Sequence, residues 1–207
     1  MRGVLYGAAT RSHQVEGNNL HNDWWRWEKA TPGVESSGAA ADHWNRYKED
    51  FALAKELGHN AHRFSLEWSR IELQPGQFNQ KAIDHYRAVL QELKRQGMQT
   101  FVTLHHFTNP VWFADRGGWA SPDAPELFDR YVKTVAQHLG ELVDFWVTIN
   151  EPMVYATQSY WLKQWPPNEK SFMKMLRVVS QMAAAHRKAY KTLHSITPNV
   201  PVGFAKH

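Results

Sequence analysis

The sequence contains no cysteine, no long apolar run and no cluster of one charge sign. The lack of cysteine excludes disulfide frameworks and cysteine-based metal sites, and it is typical of proteins from reducing compartments. No apolar run reaches the roughly 18 residues that a membrane-spanning helix needs, and no signal-peptide core is visible. We therefore expect a cytoplasmic protein that does not interact with a membrane.

Basic residues are spread along the chain rather than grouped. The 24 lysines and arginines exceed the 20 acidic residues by four, which gives a net charge of +4. A dispersed excess of this size affects solubility but does not form a basic patch. We expect no nucleic-acid partner.

Tryptophan and histidine are abundant, with ten and twelve residues respectively. An indole has a flat apolar face and a polar N–H, so it can cover the C–H face of a sugar ring. The alternative for any one tryptophan is packing in the core. Together with 43% hydrophobic and 21% charged residues, the composition is that of an ordinary globular protein.

Runs of strand type alternate with stretches of helical periodicity. We predict strands at 4–10, 60–66, 98–104 and 143–149, and the start of a fifth strand at 200–205. We predict helices that begin at Asp42 and at Ser121-Pro122, and two others around 83–93 and 172–193, with loops at 12–41, 108–120 and 153–168 and a turn at 74–77. The alternation predicts βα units and a parallel sheet.

The connections differ in length, because long loops follow the strands and short returns follow the helices. This asymmetry is typical of (β/α) TIM-barrel proteins, in which functional residues lie on the loops after the strands. A closed barrel has eight units in about 250 residues. We therefore expect an α/β half-barrel of four units plus a fifth strand, in one domain over residues 1–207.

A carboxylate and a carboxamide follow the fourth predicted strand directly, as Asn150-Glu151 before Pro152. Proline has no N–H for a strand ladder, so the strand has to end there. One interpretation is a structural carboxylate that caps the next segment or pairs with an arginine. The other is a general acid or base at the ligand-binding edge of the sheet.

Other polar residues follow the remaining strands. Gln14 comes after the first, Arg63 lies on the second, and His105-His106 end the third. Amide and imidazole groups suit hydrogen bonding to sugar hydroxyls. A histidine metal site is the alternative for the histidine pair. Because neighbours on a strand face opposite sides, we expect one of the two histidines to point away from the site.

The sequence resembles the N-terminal half of a family 1 glycoside hydrolase of the β-glucosidase type. The motifs that carry the resemblance are 7–10 with 14–17, Asn22-Asp23-Trp24-Trp25, 62–70, 103–107, 148–152 and Trp165-Pro166-Pro167. They occur in the family's order and span almost the whole chain.

The resemblance implies a retaining β-glycosidase fold and a role for each matching residue. Glu151 matches the acid/base, Asn150 the residue that binds the sugar 2-hydroxyl, and Arg63 the arginine beside the nucleophile. Gln14 and His106 match residues that bind other sugar hydroxyls, and we add Trp24 and Trp25 as sugar-contacting candidates. The family uses no metal and no cofactor, so we expect neither here.

The family's nucleophile has no counterpart in this sequence. It lies in a Glu-Asn-Gly context after the seventh strand, and no Glu-Asn-Gly occurs here. A retaining glycosidase needs two carboxylates about 5–5.5 Å apart. Glu16, Glu67 and Glu72 are present, but none of them matches the nucleophile.

A half-barrel also leaves two open sheet edges and an uncovered interior, which favours association. Three functions therefore remain. The chain is a β-glycoside hydrolase completed by a complementary C-terminal half-barrel or by a second copy, or it is a non-catalytic half-barrel that self-associates and binds a sugar or another ligand. The third possibility is a natural or engineered truncation with the same fold and little function.

Overall fold

The computed structural model describes residues 3–207 and contains a parallel sheet of five strands. In chain order the strands are β1 (Gly7–Ala9), β2 (Ala61–Ser65), β3 (Glu72–Gln74), β4 (Gln77–Phe78), β5 (Gln99–His105), β6 (Phe145–Asn150) and β7 (Val202–Ala205). The α-helices are α1 (Ser12–Val15), α2 (Asp23–Ala30), α3 (His43–Glu56), α4 (Trp68–Ile71), α5 (Gln80–Arg95), α6 (Val111–Asp115), α7 (Ala124–Leu139), α8 (Pro152–Tyr160) and α9 (Phe172–Ile196).

The large sheet has the order β1-β2-β5-β6-β7, and each neighbouring pair is parallel. Apart from the hairpin β3-β4, each strand therefore lies beside the strand that follows it along the chain, with helices in every crossover. This arrangement confirms the predicted α/β half-barrel of four βα units and a fifth strand. Strands β3 and β4 form a separate antiparallel hairpin whose turn contains Pro75 and Gly76, at the predicted turn 74–77.

Three of the predicted loops are wrong in part, because they contain short helices. The segment 12–41 contains α1 and α2, the segment 108–120 contains α6, and the segment 153–168 starts inside α8. Helices of four to nine residues are too short to display several turns of an apolar stripe, so periodicity does not reveal them. The helix predicted at Ser121-Pro122 starts at Ala124, with Pro125 in its first turn.

Strand β1 is also shorter than the predicted 4–10, because only Gly7–Ala9 pairs with β2. A side chain at Gly7 would meet the backbone of Ala61, since a Cβ built there lies 1.8 Å from the Ala61 carbonyl oxygen. Glycine is therefore required for this close approach of the two strands.

The core lies between one face of the sheet and the four long helices. Val102, Leu104 and Trp146 point to this side and are fully buried, and the Trp146 indole N–H donates to Thr197 Oγ1 at the end of α9 at 3.2 Å. The opposite face carries Phe101 and Phe145, whose rings stack at 4.2 Å and are only partly buried. The helices thus cover one face of the sheet and leave an aromatic pair on the other.

No helix among the described residues 3–207 is both long enough and apolar enough to cross a bilayer.

The packing predicts unequal effects for two leucines on the helices. Leu139 on α7 is 0% exposed, whereas Leu53 on α3 is 57% exposed. We expect Leu139→Ala to lower the free energy of unfolding by about 2–5 kcal/mol, because it removes buried apolar atoms and leaves a cavity. Leu53→Ala should change it by less than about 0.5 kcal/mol. Urea denaturation followed by circular dichroism measures both, and equal effects would contradict the assigned core.

Candidate functional site

Polar side chains from three neighbouring strands meet at the carboxyl edge of the sheet. Arg63 on β2 donates from Nε to Thr103 Oγ1 on β5 at 2.9 Å and from Nη2 to Asn150 Oδ1 at the end of β6 at 2.5 Å. Parallel pairing makes this possible, because it places Arg63 beside Phe101 and brings β6 to the other side of β5. The arginine therefore connects three strands, and it brings together two predicted site residues, Arg63 itself and Asn150.

The contact with Arg63 also sets the orientation of the Asn150 amide. Since Oδ1 accepts from the guanidinium, Nδ2 remains as a donor for a ligand hydroxyl. Burial lowers the pKa of Arg63 below its ordinary value, and the charge of the Glu151 carboxylate opposes that shift. The guanidinium, the amide and the carboxylate thus form one electrostatic group.

Glu151 occupies the N-cap position of α8 in a left-handed conformation, with φ 45° and ψ 59°. Its backbone N–H continues the ladder by donating to Ala205 O at 2.9 Å. Its side chain does not cap the helix and forms no hydrogen bond or ion pair with another residue of the described region 3–207. A cavity of about 600 Å³ adjoins it, lined in part by Met153 and Phe204.

The two adjacent histidines have different surroundings. His105 is 1% exposed, and its Nε2 lies 3.1 Å from both Asn109 Oδ1 and Trp119 Nε1, so it belongs to the packed interior. His106 is less buried and lies near the charges of Arg63 and Arg11. Burial and these two charges lower the pKa of His106 to about 3, so the imidazole is neutral at neutral pH. Among residues 3–207, no group of three or more potential ligands converges as a metal site would.

The remaining sugar-contacting candidates differ in accessibility. Gln14 on α1 is exposed after β1. Trp25 is partly exposed, with the Lys29 ammonium 4.5 Å above its ring. Trp24 is 8% exposed and packs against Trp27 and Trp165. The structure therefore does not bring a free face of Trp24 to the edge where Arg63 and Asn150 meet.

The other glutamates named in the sequence analysis are held in buried networks. Glu67 accepts from several side chains, among them Ser12 at 2.9 Å and Thr108 at 3.0 Å. Glu72 accepts from the Trp68 indole at 2.7 Å and also pairs with Arg130. The oxygens of these two carboxylates are therefore occupied by hydrogen bonds within the protein, in contrast to those of Glu151.

Glu16 is likewise committed, since it accepts from Tyr86 at 2.7 Å and from Arg70 at 3.0 Å. Burial raises the pKa of Glu16 to about 7, and the charge of Arg70 opposes the shift. A buried carboxylate with two such partners is typical of a structural network.

Sequence reasoning missed two features of this edge. Arg11 lies with its guanidinium 4.8 Å from the ring of Trp24 and 5.8 Å from that of Phe107, in a cation–π arrangement. Asp23 and Asn109 join the loops after β1 and β5 through buried hydrogen bonds. No local pattern marks Asn109, and the only signal for Arg11 was its place just after the first strand.

Chemically, the edge combines neutral donors, a guanidinium and one uncommitted carboxylate. Amide and imidazole groups can bind hydroxyls, and a carboxylate beside a cation can hold or transfer a proton. These are the requirements of a carbohydrate site with a single acid/base group.

The comparisons with known proteins agree with this geometry. Residues 2–207 match the family model of glycosyl hydrolase family 1. Beta-glucosidase A from Thermotoga maritima is 32% identical over 210 residues, which cover 97% of this chain and 47% of that protein.

Two solved structures are similar over nearly the whole chain. A beta-glycosidase from Pyrococcus horikoshii has a TM-score of 0.92 and 40% identity over 98% of this chain and 47% of its own. The Thermotoga maritima beta-glucosidase in complex with castanospermine has a TM-score of 0.93 and 32% identity over 99% of this chain and 48% of its own.

The chain spans about half the length of these relatives. The matched region covers nearly all of the present sequence, and it includes the strand ends that carry Arg63, Asn150 and Glu151. On this evidence the chain belongs to glycosyl hydrolase family 1 and corresponds to the N-terminal half of its relatives.

Proposed function

We propose that this chain, as one half-barrel domain over residues 1–207, supplies the acid/base and part of the sugar-binding half of a site that hydrolyses β-glycosidic bonds. The observation that carries the proposal is the uncommitted carboxylate of Glu151 at the carboxyl edge of the sheet, beside Arg63 and Asn150. Membership of glycosyl hydrolase family 1 supports the same chemistry.

In this mechanism Glu151 protonates the glycosidic oxygen as the bond breaks and then deprotonates the attacking water. Asn150 donates to a sugar hydroxyl through Nδ2, while His106 and Gln14 bind other hydroxyls. Arg63 holds the Asn150 amide and stabilises negative charge nearby. Trp25 is the more accessible of the two tryptophan candidates for contact with the sugar or its substituent.

A second carboxylate has to enter the site for retaining hydrolysis, since the two groups act about 5–5.5 Å apart. Glu16, Glu67 and Glu72 are held in buried networks, which argues against that role for them. We infer that the nucleophile comes from a complementary C-terminal half-barrel. The reaction needs no metal or cofactor, and a cytoplasmic location stays a prediction from the sequence.

The first prediction concerns ligand binding by this half of the site alone. Castanospermine is a polyhydroxylated amine, and the Thermotoga maritima relative was solved in complex with it. We expect the purified chain to bind castanospermine and Glu151→Gln to weaken binding by about tenfold or more, because an ion pair is lost. Titration calorimetry measures this. Glu35→Gln, at an exposed loop carboxylate, is the matched control, and equal affinities of wild type and Glu151→Gln would contradict the role of Glu151.

The second prediction concerns turnover after the barrel is completed. We expect a complex of this chain with the remaining half of Thermotoga maritima Beta-glucosidase A to hydrolyse an aryl β-glucoside. In that complex Glu151→Ala should lower the rate by about 10²–10⁴-fold. Azide should restore part of the rate for a substrate with a good leaving group, because azide attacks the glycosyl intermediate without a general base. A complex with turnover independent of Glu151 would disprove the assignment.

One observation favours a second candidate function, namely a self-associating half-barrel. The partly buried Phe101 and Phe145 lie on the face away from the helices, and Phe204 on the edge strand β7 is 51% exposed. Unpaired strand edges next to apolar side chains favour pairing with another chain. A twofold arrangement of two copies would pair β1 of one copy with β7 of the other.

Light scattering tests this alternative directly. If self-association is the function, we expect a mass of at least twice 24.0 kDa for the purified chain. Phe145→Lys should shift the mass toward one chain, because it places a charge on the apolar inner face. Leu53→Lys adds the same charge on the exposed side of α3 and should leave the mass unchanged. A monomeric wild-type chain would refute this candidate.

A further inference from the structure

Two buried polar residues, Asp23 and Asn109, join the loop after β1 to the loop after β5. Asp23 is 5% exposed and Asn109 is 1% exposed. The Asp23 carboxylate accepts from the backbone N–H and from Nδ2 of Asn109, both at 2.8 Å. The backbone N–H of Asp23 donates in return to Asn109 O at 2.9 Å. We call this reciprocal contact the Asp23–Asn109 pair.

The asparagine side chain extends the contact into the interior. Asn109 Oδ1 accepts from the Trp119 indole at 2.9 Å and lies 3.1 Å from His105 Nε2. Its Nδ2 lies 3.0 Å from the Tyr155 hydroxyl on α8. Every polar atom of Asn109 therefore has a partner, and the pair connects the loops that follow β1, β5 and β6.

Phe107 lies between His106 and the pair, and its backbone is strained. It has φ +77°, a left-handed conformation that residues other than glycine rarely adopt. Such a conformation persists only where the surroundings determine it. Here the Trp24 indole N–H, one residue after Asp23, donates to Phe107 O at 3.3 Å. The residue after Phe107 is held as well, because Thr108 Oγ1 donates to the Glu67 carboxylate at 3.0 Å.

Both histidines precede the strained turn, and His106 is the residue directly before it. His105 is packed against Trp119, whereas the His106 ring lies edge to face against that of Phe107 at 5.0 Å and near Arg63 and Arg11. The direction of His106 therefore depends on the course of the backbone at Phe107. Trp24 and Asp23 of α2 hold that course at Phe107 O and, two residues further on, at Asn109.

We propose that Asp23 and Asn109 are positioning residues that hold the turn at Phe107 and so present His106 to the ligand. This inference rests on the proposed function, since it assumes that His106 binds the sugar. Neither residue touches the ligand in the proposal. Burial raises the pKa of Asp23 to about 7, so the carboxylate accepts both N–H groups fully only above neutral pH.

A reciprocal exchange tests the proposal at pH 8. In Asp23→Asn an amide N–H₂ faces the Asn109 amide, and in Asn109→Asp two carboxylates face each other, so each single variant loses complementarity. The double variant Asp23→Asn/Asn109→Asp restores one acceptor and one donor. We expect each single variant to bind castanospermine about tenfold more weakly and the double variant to recover to within about threefold of the wild type.

The matched control is the same exchange at an exposed pair. Asn45 Nδ2 donates to Asp42 Oδ1 at 2.7 Å on the surface, so Asp42→Asn, Asn45→Asp and their combination should leave binding unchanged. A second readout is the NMR signal of the His106 imidazole, which should shift in both single variants and return in the double variant. A purely structural role would lower the unfolding temperature without moving that signal in the folded protein.

The outcomes separate the two proposals. If the wild type does not bind castanospermine, the proposed function fails, and the His106 signal alone decides the positioning role. If the wild type binds and the folded single variants bind equally well, the positioning role is refuted. Should a single variant not fold, Trp24→Phe keeps an aromatic ring at this position but removes the N–H that donates to Phe107 O, and an unmoved His106 signal in that variant would overturn the inference.

Discussion

Parallel pairing of consecutive strands is the constraint on which the rest of this structure depends. It brings the carboxyl ends of β1, β2, β5, β6 and β7 to one edge, in the order in which the chain makes them. Residues far apart in sequence then become neighbours, as Arg63 and Asn150 show with a contact of 2.5 Å. The long helices cover one face of the sheet and not its carboxyl edge, so this edge stays open to a ligand.

Features that repeat locally could be predicted from the sequence, whereas contacts between distant loops could not. The alternation of strands and long helices gave the parallel half-barrel, and the position of Asn150-Glu151 before Pro152 placed both residues at a strand end. The short helices α1, α2, α6 and α8 were missed because they are too short for a periodic stripe. The Asp23–Asn109 pair joins residues 86 positions apart, and no local rule relates them.

Electrostatics distinguishes Glu151 from the other glutamates better than sequence position does. Burying a carboxylate is costly unless hydrogen bonds and a cation compensate for the lost water. Glu16, Glu67 and Glu72 have such partners and therefore serve the structure. Glu151 remains partly accessible, its charge acts on the guanidinium of Arg63, and its oxygens have no hydrogen-bond partner in the described residues 3–207. A group of this kind can exchange a proton with a ligand without disrupting the fold.

The open sheet edges and the missing second carboxylate are two consequences of the same geometry. In the proposed function, four βα units bring sugar-binding donors and one acid/base to the edge, but retaining hydrolysis needs a nucleophile on the other side of the sugar. The inner face with Phe101 and Phe145 needs cover for a different reason, since exposed aromatic surface favours association. Further strands that pair with β1 and β7 would meet both needs, because they would cover these rings and could bring a carboxylate opposite Glu151. The same additional strands would therefore both stabilise the half-barrel and complete the proposed site.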